Sequence, residues 1–231
     1  MLKVLSVFGT RPEAVKMAPV VRCLAQSAGI ESRVCVTAQH RQMLDQVLHL
    51  FEIRPDYDLD LMREDQALAE LSAAIFTHLD PVLADFRPDW VLVQGDTTTV
   101  AMTALLAYYR RIRVGHVEAG LRTYDKWQPF PEEINRRVAG VTADLHFAPT
   151  EWTRQNLLRE GIDDRLIVVT GNPVIDALHY AAAQPEPPSV RLLLERLDLL
   201  ARPERRLILI TAHRRESFGE PFESICEALR Q

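Results

Sequence analysis

At 231 residues the chain is long for one domain and short for two, and 47% hydrophobic with 26% charged residues is an ordinary globular composition able to bury a real core. A net charge of −5 with no basic face sets nucleic-acid binding aside, and the Arg clusters at 110–113 and 202–206 read as solvated helix ends. Cys23, Cys35 and Cys226 lack CxxC spacing and read as reduced thiols of a cytoplasmic protein, while the N-terminal apolar run is too short for a signal or a membrane span.

In chain order, residues 3–8 are a β-rich apolar run closed by Gly9. Pro12 suits the first turn of a helix over 12–27, which Pro19 kinks or restarts. A strand at 33–37, a helix at 41–51 and a short edge strand at 56–61 follow, then an amphipathic helix over 66–86 closed by Pro88. Residues 90–93 are continuously apolar, the pattern of a strand covered on both faces. Helices at 98–111, 132–141 and 151–160 alternate with strands at 114–118, 145–148 and 166–170. Such alternation with short connections predicts an α/β fold, a Rossmann-like doubly wound parallel sheet.

After Gly171 come a helix over 174–183, a Pro-rich linker at 184–189, a helix over 190–200, one strand at 206–212 and a helix over 221–230. One strand and one helix cannot bury their own faces. The expected division is therefore 1–172 as a Rossmann-like domain, 173–204 as linker helices and 205–231 as only the start of a second Rossmann-like domain.

In doubly wound sheets, ligands bind beyond the carboxyl ends of the strands. Gly9-Thr10-Arg11-Pro12-Glu13 stands at one such end, either as a phosphate site on a helix N-terminus with Arg11 and Lys16 adding charge, or as an ordinary βα turn. Asp96 ends a buried strand, either as a proton-transfer group or as the cap of the next helix. Glu118 ends another strand beside Gly120, where packing does not explain it and where Arg122 could pair with it; His116, deeper in that strand, reads as a hydrogen-bonded core histidine. Glu132 and Glu133 follow a Pro-bracketed turn, either as i,i+4 partners of Arg136 and Arg137 or with Glu132 reaching the cleft of Asp96 and Glu118. His213-Arg214-Arg215-Glu216 closes the last strand and would face the same cleft. Acid and base groups with an anion-binding turn suggest an enzyme acting on a phosphorylated substrate.

The stretches VFGTRPEAVKMAPVV, VTAQHRQMLDQVL, VLVQGDTTT, VGHVEAGLRT, PFPEEINRR, GNPVIDAL and TAHRRESFGEP run in order from Val7 to Pro221. Together they closely resemble the non-hydrolysing UDP-N-acetylglucosamine 2-epimerases. The resemblance implies a GT-B-like pair of Rossmann-like domains and reversible interconversion of UDP-N-acetylglucosamine and UDP-N-acetylmannosamine through a 2-acetamidoglucal. It matches Asp96, Glu118, Glu132 and His213 to catalytic positions, and Thr10, Arg11 and Lys16 to substrate binding. Gln39, Gln42 and Arg214 match a regulatory, allosteric site for a second nucleotide sugar. The resemblance further implies a cytoplasmic homodimer, acting on a UDP-sugar without NAD, another cofactor or a metal, and with no nucleic-acid or membrane partner.

Pro173 stands where the family usually has Thr, and Gln128 where it has Ser. The downstream Asp-Ser-Gly-Gly run of the family is absent, so the 231 residues alone are expected to be inactive or nearly so. Competing readings are a hydrolysing 2-epimerase, a GT-B glycosyltransferase, a non-catalytic nucleotide-sugar binder and, through His116, Glu118 and Asp96, a metal-dependent hydrolase.

Overall fold

Seven parallel strands form one sheet in the order β3-β2-β1-β4-β5-β6-β7. They are β1 (Leu2–Phe8), β2 (Ile30–Val36), β3 (Tyr57–Asp58), β4 (Trp90–Gln94), β5 (Arg113–Val117), β6 (Leu145–Ala148) and β7 (Ile167–Val169). The computed structural model describes residues 1–37, 41–61, 63, 66–202, 204–211 and 219–230, with the backbone alone at 41–42. Helices α1 (Arg11–Gln26), α2 (Arg41–Leu50), α3 (Leu68–Phe86), α4 (Thr98–Tyr109), α5 (Glu132–Thr142), α6 (Glu151–Arg159) and α7 (Val174–Ala182) connect or follow the strands.

The pleat explains why residues 90–93 of β4 read as an unbroken apolar run. On β1, Leu5 and Val7 join one core cluster with α3 and α4, whereas Val4 and Phe8 join a second with α1 and α2. On β4, Val91 and Val93 face the first cluster and Leu92 the second. Successive side chains point to opposite faces, so a strand covered on both sides is predominantly apolar on both. Glycine is needed where elements touch: a Cβ on Gly9 would collide with the Thr37 hydroxyl, and one on Gly115 would meet Leu92 Cδ2 at 2.6 Å.

The expected α/β doubly wound sheet is therefore present, and its order reverses between β1 and β4. That reversal opens a crevice at their carboxyl ends. The ends in question are Gly9-Thr10 after β1 and Gly95-Asp96 after β4, with Glu118 following β5.

Residues Met1–Ala183 form one unit and Gln184–Gln231 a second. Helix α7 falls within the first unit and packs there: Tyr180 stacks on Phe51 at 4.9 Å, with the guanidinium of Arg22 from α1 4.5 Å from its ring. Pro19 neither ends nor divides α1, which runs through it as one helix. In the second unit, α8 (Pro188–Arg196) and α9 (Glu220–Arg230) are helical. The strand expected from 206 onward is not formed among the described residues. Leu207, Ile208 and Leu209 are exposed, because a lone apolar segment has neither a neighbouring ladder nor a face to cover.

Candidate active site

Val117 pairs with Gln94 in the sheet register, so Gly95 and Glu118 stand level at the ends of adjacent strands. Glu118 has φ of +64°, a left-handed conformation that a Glu side chain adopts only when its surroundings hold it. Four donor contacts do so. Lys16 Nζ lies 2.8 Å from Oε1 and 2.6 Å from Oε2, Asn172 Nδ2 donates to Oε1 at 2.7 Å, and Gln94 Nε2 donates to Oε2. Arg122, the expected partner, lies elsewhere. Its buried guanidinium packs over Gly140 and makes a two-point pair with Glu160, at 2.7 Å on each arm.

Asp96 does not cap α4. That role falls to Thr97, whose hydroxyl accepts from the Val100 N–H. Asp96 instead pairs with Arg136, which at 3.1 Å also holds Glu133. Glu133 is buried, and burial pushes its carboxyl up. The backbone N–H groups of Thr123 (3.1 Å) and Tyr124 (3.2 Å), together with Arg136, more than offset this and bring it below the usual carboxylate range. The expected Glu132–Arg136 pair is thus replaced by an Asp96–Arg136–Glu133 chain. Glu132, the first residue of α5, is half-buried and its side chain makes no hydrogen bond or ion pair with a described residue. Arg137, 3.5 Å from Glu133, keeps its expected partner.

The turn after β1 is held by its own side chains. Thr10 is the N-cap of α1, and its Glu13 completes a capping box. Glu13 accepts from the Gly9 N–H at 3.0 Å and the Thr10 N–H at 2.6 Å, and its other oxygen accepts from the Thr97 hydroxyl at 2.7 Å. Two backbone donors of this turn are thus taken by the Glu13 carboxylate, whose burial raises it above its ordinary range. Arg11 is exposed and makes no side-chain bond to a described residue, so it is available to an anion, whereas Lys16 is engaged by Glu118.

His116 is a core histidine, as expected. Its Nε2–H donates to the Gly95 carbonyl at 2.7 Å, and since a carbonyl can only accept, the neutral Nε2–H tautomer is fixed. Burial pushes its pKa down to about 4. His146, opposite it on β6, is equally buried and also pushed down to about 4, with neither ring nitrogen bonded to a described residue.

The structure thus brings Lys16, Asp96 and Glu118 to one edge and leaves the Arg11 and Glu132 side chains there without partners among the described residues. His213, Arg214 and Gln39 lie outside the described residues, as does the side chain of Gln42. Gln94, Asn172, Glu13, Glu133 and Arg136 were not foreseen as site residues. Two of them had signals: Thr10-x-x-Glu13 is a capping box, and Asn172 before Pro173 is a helix-opening Asx residue.

Residues 22–231 match the family model described as UDP-N-acetylglucosamine 2-epimerase. The chain belongs to that family. A UDP-N-acetylglucosamine 2-epimerase of Yersinia pestis is 57% identical over 231 residues, all of this chain and 61% of that protein. Among solved structures, the UDP-GlcNAc 2-epimerase of Neisseria meningitidis bound to UDP-GlcNAc superposes with a TM-score of 0.90 at 50% identity, over 99% of this chain and 63% of that one. S. aureus MnaA in its UDP co-structure gives 0.87 at 47% identity, over 100% and 59%. The chain therefore spans about three fifths of the length of the epimerases it matches. In this chain the Lys16–Glu118 and Asp96–Arg136 pairs stand at the carboxyl edge of a Rossmann-like sheet, where such folds bind ligands.

Proposed function

We propose that the protein, at its relatives' full length, interconverts UDP-N-acetylglucosamine and UDP-N-acetylmannosamine without hydrolysing them. A base takes the C2 proton while the C1–oxygen bond to the diphosphate breaks, giving UDP and a 2-acetamidoglucal. The diphosphate oxygen then re-adds at C1, and C2 takes a proton on the opposite face. The step neither oxidises nor reduces, so it calls for no hydride carrier.

The observation that carries this reading is the pair of strand-end carboxylates, Asp96 and Glu118, each ion-paired and each on the crevice edge. Two groups able to exchange protons are what removal and return at one carbon require. Glu132 and His213 are proposed to complete the set, with Thr10 and Arg11 meeting the nucleotide and Lys16 acting through Glu118. Gln39, Gln42 and Arg214 are proposed as a second, regulatory nucleotide-sugar site. The site of action is proposed to be the cytoplasm and the assembly a homodimer; no described helix is long and apolar enough to cross a membrane. The 231 residues alone are expected to turn over little, since Gln184–Gln231 has no strand and no buried side chain among its described residues.

Product analysis with UDP-N-acetylglucosamine as sole substrate tests the reading. The mannosamine isomer still attached to UDP supports it. Free N-acetylmannosamine with stoichiometric UDP makes the enzyme hydrolysing, and turnover only with an added acceptor makes it a transferase.

A further inference from the structure

We propose that Asn172 is a positioning residue for Glu118, one side-chain amide both accepting from the first N–H of helix α7 and holding the carboxylate. The proposal rests on the reading of Glu118 as an acid–base group.

Asn172 Oδ1 accepts from the Val174 N–H at 3.1 Å, while Nδ2 donates to Glu118 Oε1 at 2.7 Å. The amide orientation follows from its partners. Flipped, it would turn an NH2 towards a backbone N–H and an oxygen towards a carboxylate, losing both bonds. The anchor behind it is firm: Ala177 of α7 is buried, and Tyr180 stacks on Phe51 with the Arg22 guanidinium against its ring. Helix α7 packs on α1, which carries Lys16, the other donor to Oε1. Glu118 is therefore gripped from α1, from the α7 turn and, through Gln94, from β4. With both oxygens engaged, the carboxylate plane is fixed although the Glu118 backbone sits in the left-handed region at +64°.

The two functions of the amide separate by substitution. Asn172→Ser and Asn172→Asp keep an oxygen for the Val174 N–H; the first is too short to reach Glu118 and the second sets a carboxylate against it. Asn172→Ala removes both functions. In the full-length protein, N172S and N172D are expected to keep the wild-type melting temperature within a few degrees while kcat falls about 10- to 100-fold, as for a displaced catalytic group, and KM changes less than about threefold. N172A is expected to lose thermal stability as well. An N172S enzyme with wild-type kcat, or losses of kcat that follow melting temperature across the three variants, overturns the proposal.

A readout independent of turnover accompanies the kinetics. The Asn172 side-chain amide resonances in the 231-residue chain are expected to move in Glu118→Gln, and unmoved resonances overturn the contact. If they move but the full-length wild type forms no epimer, the hold on Glu118 stands and the epimerase reading is what fails.

Discussion

Lys16 Nζ lies 2.6 Å from Glu118 Oε2, joining the second turn of α1 to the residue that ends β5, 102 positions later. The Glu118 side chain is only 9% exposed and that of Lys16 25%, so the pair is screened less than an ordinary surface ion pair. Lys16→Met is expected to lower kcat by about 100-fold, because the carboxylate loses the donor shared by both its oxygens. In a double-mutant cycle with Glu118→Gln, chemical denaturation should give a coupling of about 1–3 kcal/mol. A coupling near zero would mean that the two groups do not stabilise one another.

Arg136 joins Asp96 to Glu133 through two arms of one guanidinium. Lysine carries the charge but not the fork. Arg136→Lys is therefore expected to lose about 10- to 100-fold in kcat, while Arg137→Lys on the exposed side of the same helix should leave kcat within about twofold. Steady-state kinetics of the two variants, side by side, check this.

His116 and His146 are both held neutral, with pKa values pushed down to about 4 from an ordinary 6.5. For a depressed histidine the unfolded chain binds the proton first. The group costs nothing in protonation above about pH 6.5, and stability is lost progressively as pH falls from there towards 4. Two such groups give an expected loss on the order of a few kcal/mol across that interval. Glu133, held below its usual range, adds a loss at still lower pH as it takes its proton. His146→Leu removes one titration and no hydrogen bond to a described residue, so it should unfold at a higher temperature than wild type at pH 5, with a smaller gain at pH 8. Melting curves at the two pH values check the sign.

Gly120 and Gly161 have nearly the same φ, +87° and +86°, yet differ in what surrounds them. A Cβ on Gly120 would strike the Thr153 carbonyl, whereas one on Gly161 meets nothing within 4 Å. Gly161→Ala should cost about 1–2 kcal/mol for the backbone conformation alone. Gly120→Ala should cost at least about 2 kcal/mol more, because α6 must move away from the turn that follows Glu118. Equilibrium denaturation of both variants measures the difference.

The sheet was legible because its period is local: 90–93 reads as a two-faced strand whatever its neighbours, and Leu145–Ala148 falls where its pattern says. Asp96 and Glu118 were legible as polar groups at strand ends. Their partners were not. Lys16 meets Glu118 across 102 residues and Asn172 meets it across 54, and no periodicity encodes such pairings. Local rules also favoured the wrong mate twice. The i,i+4 spacing offered Arg136 to Glu132, and proximity offered Arg122 to Glu118, but burial took Arg136 to Asp96 and Arg122 to Glu160. The apolar run at 207–210 shows the converse limit. It has the composition of a strand, but a strand also needs a neighbour to pair with.

Deuterium incorporation at the sugar C2 carbon tests the central claim most directly. The full-length protein, incubated with UDP-N-acetylglucosamine in D2O, should place one solvent deuteron at C2 in both UDP-sugar epimers, and Glu118→Gln should slow that exchange together with epimerisation. Epimer formation with the original C2 proton retained, or exchange that is as fast in Glu118→Gln as in wild type, would contradict it.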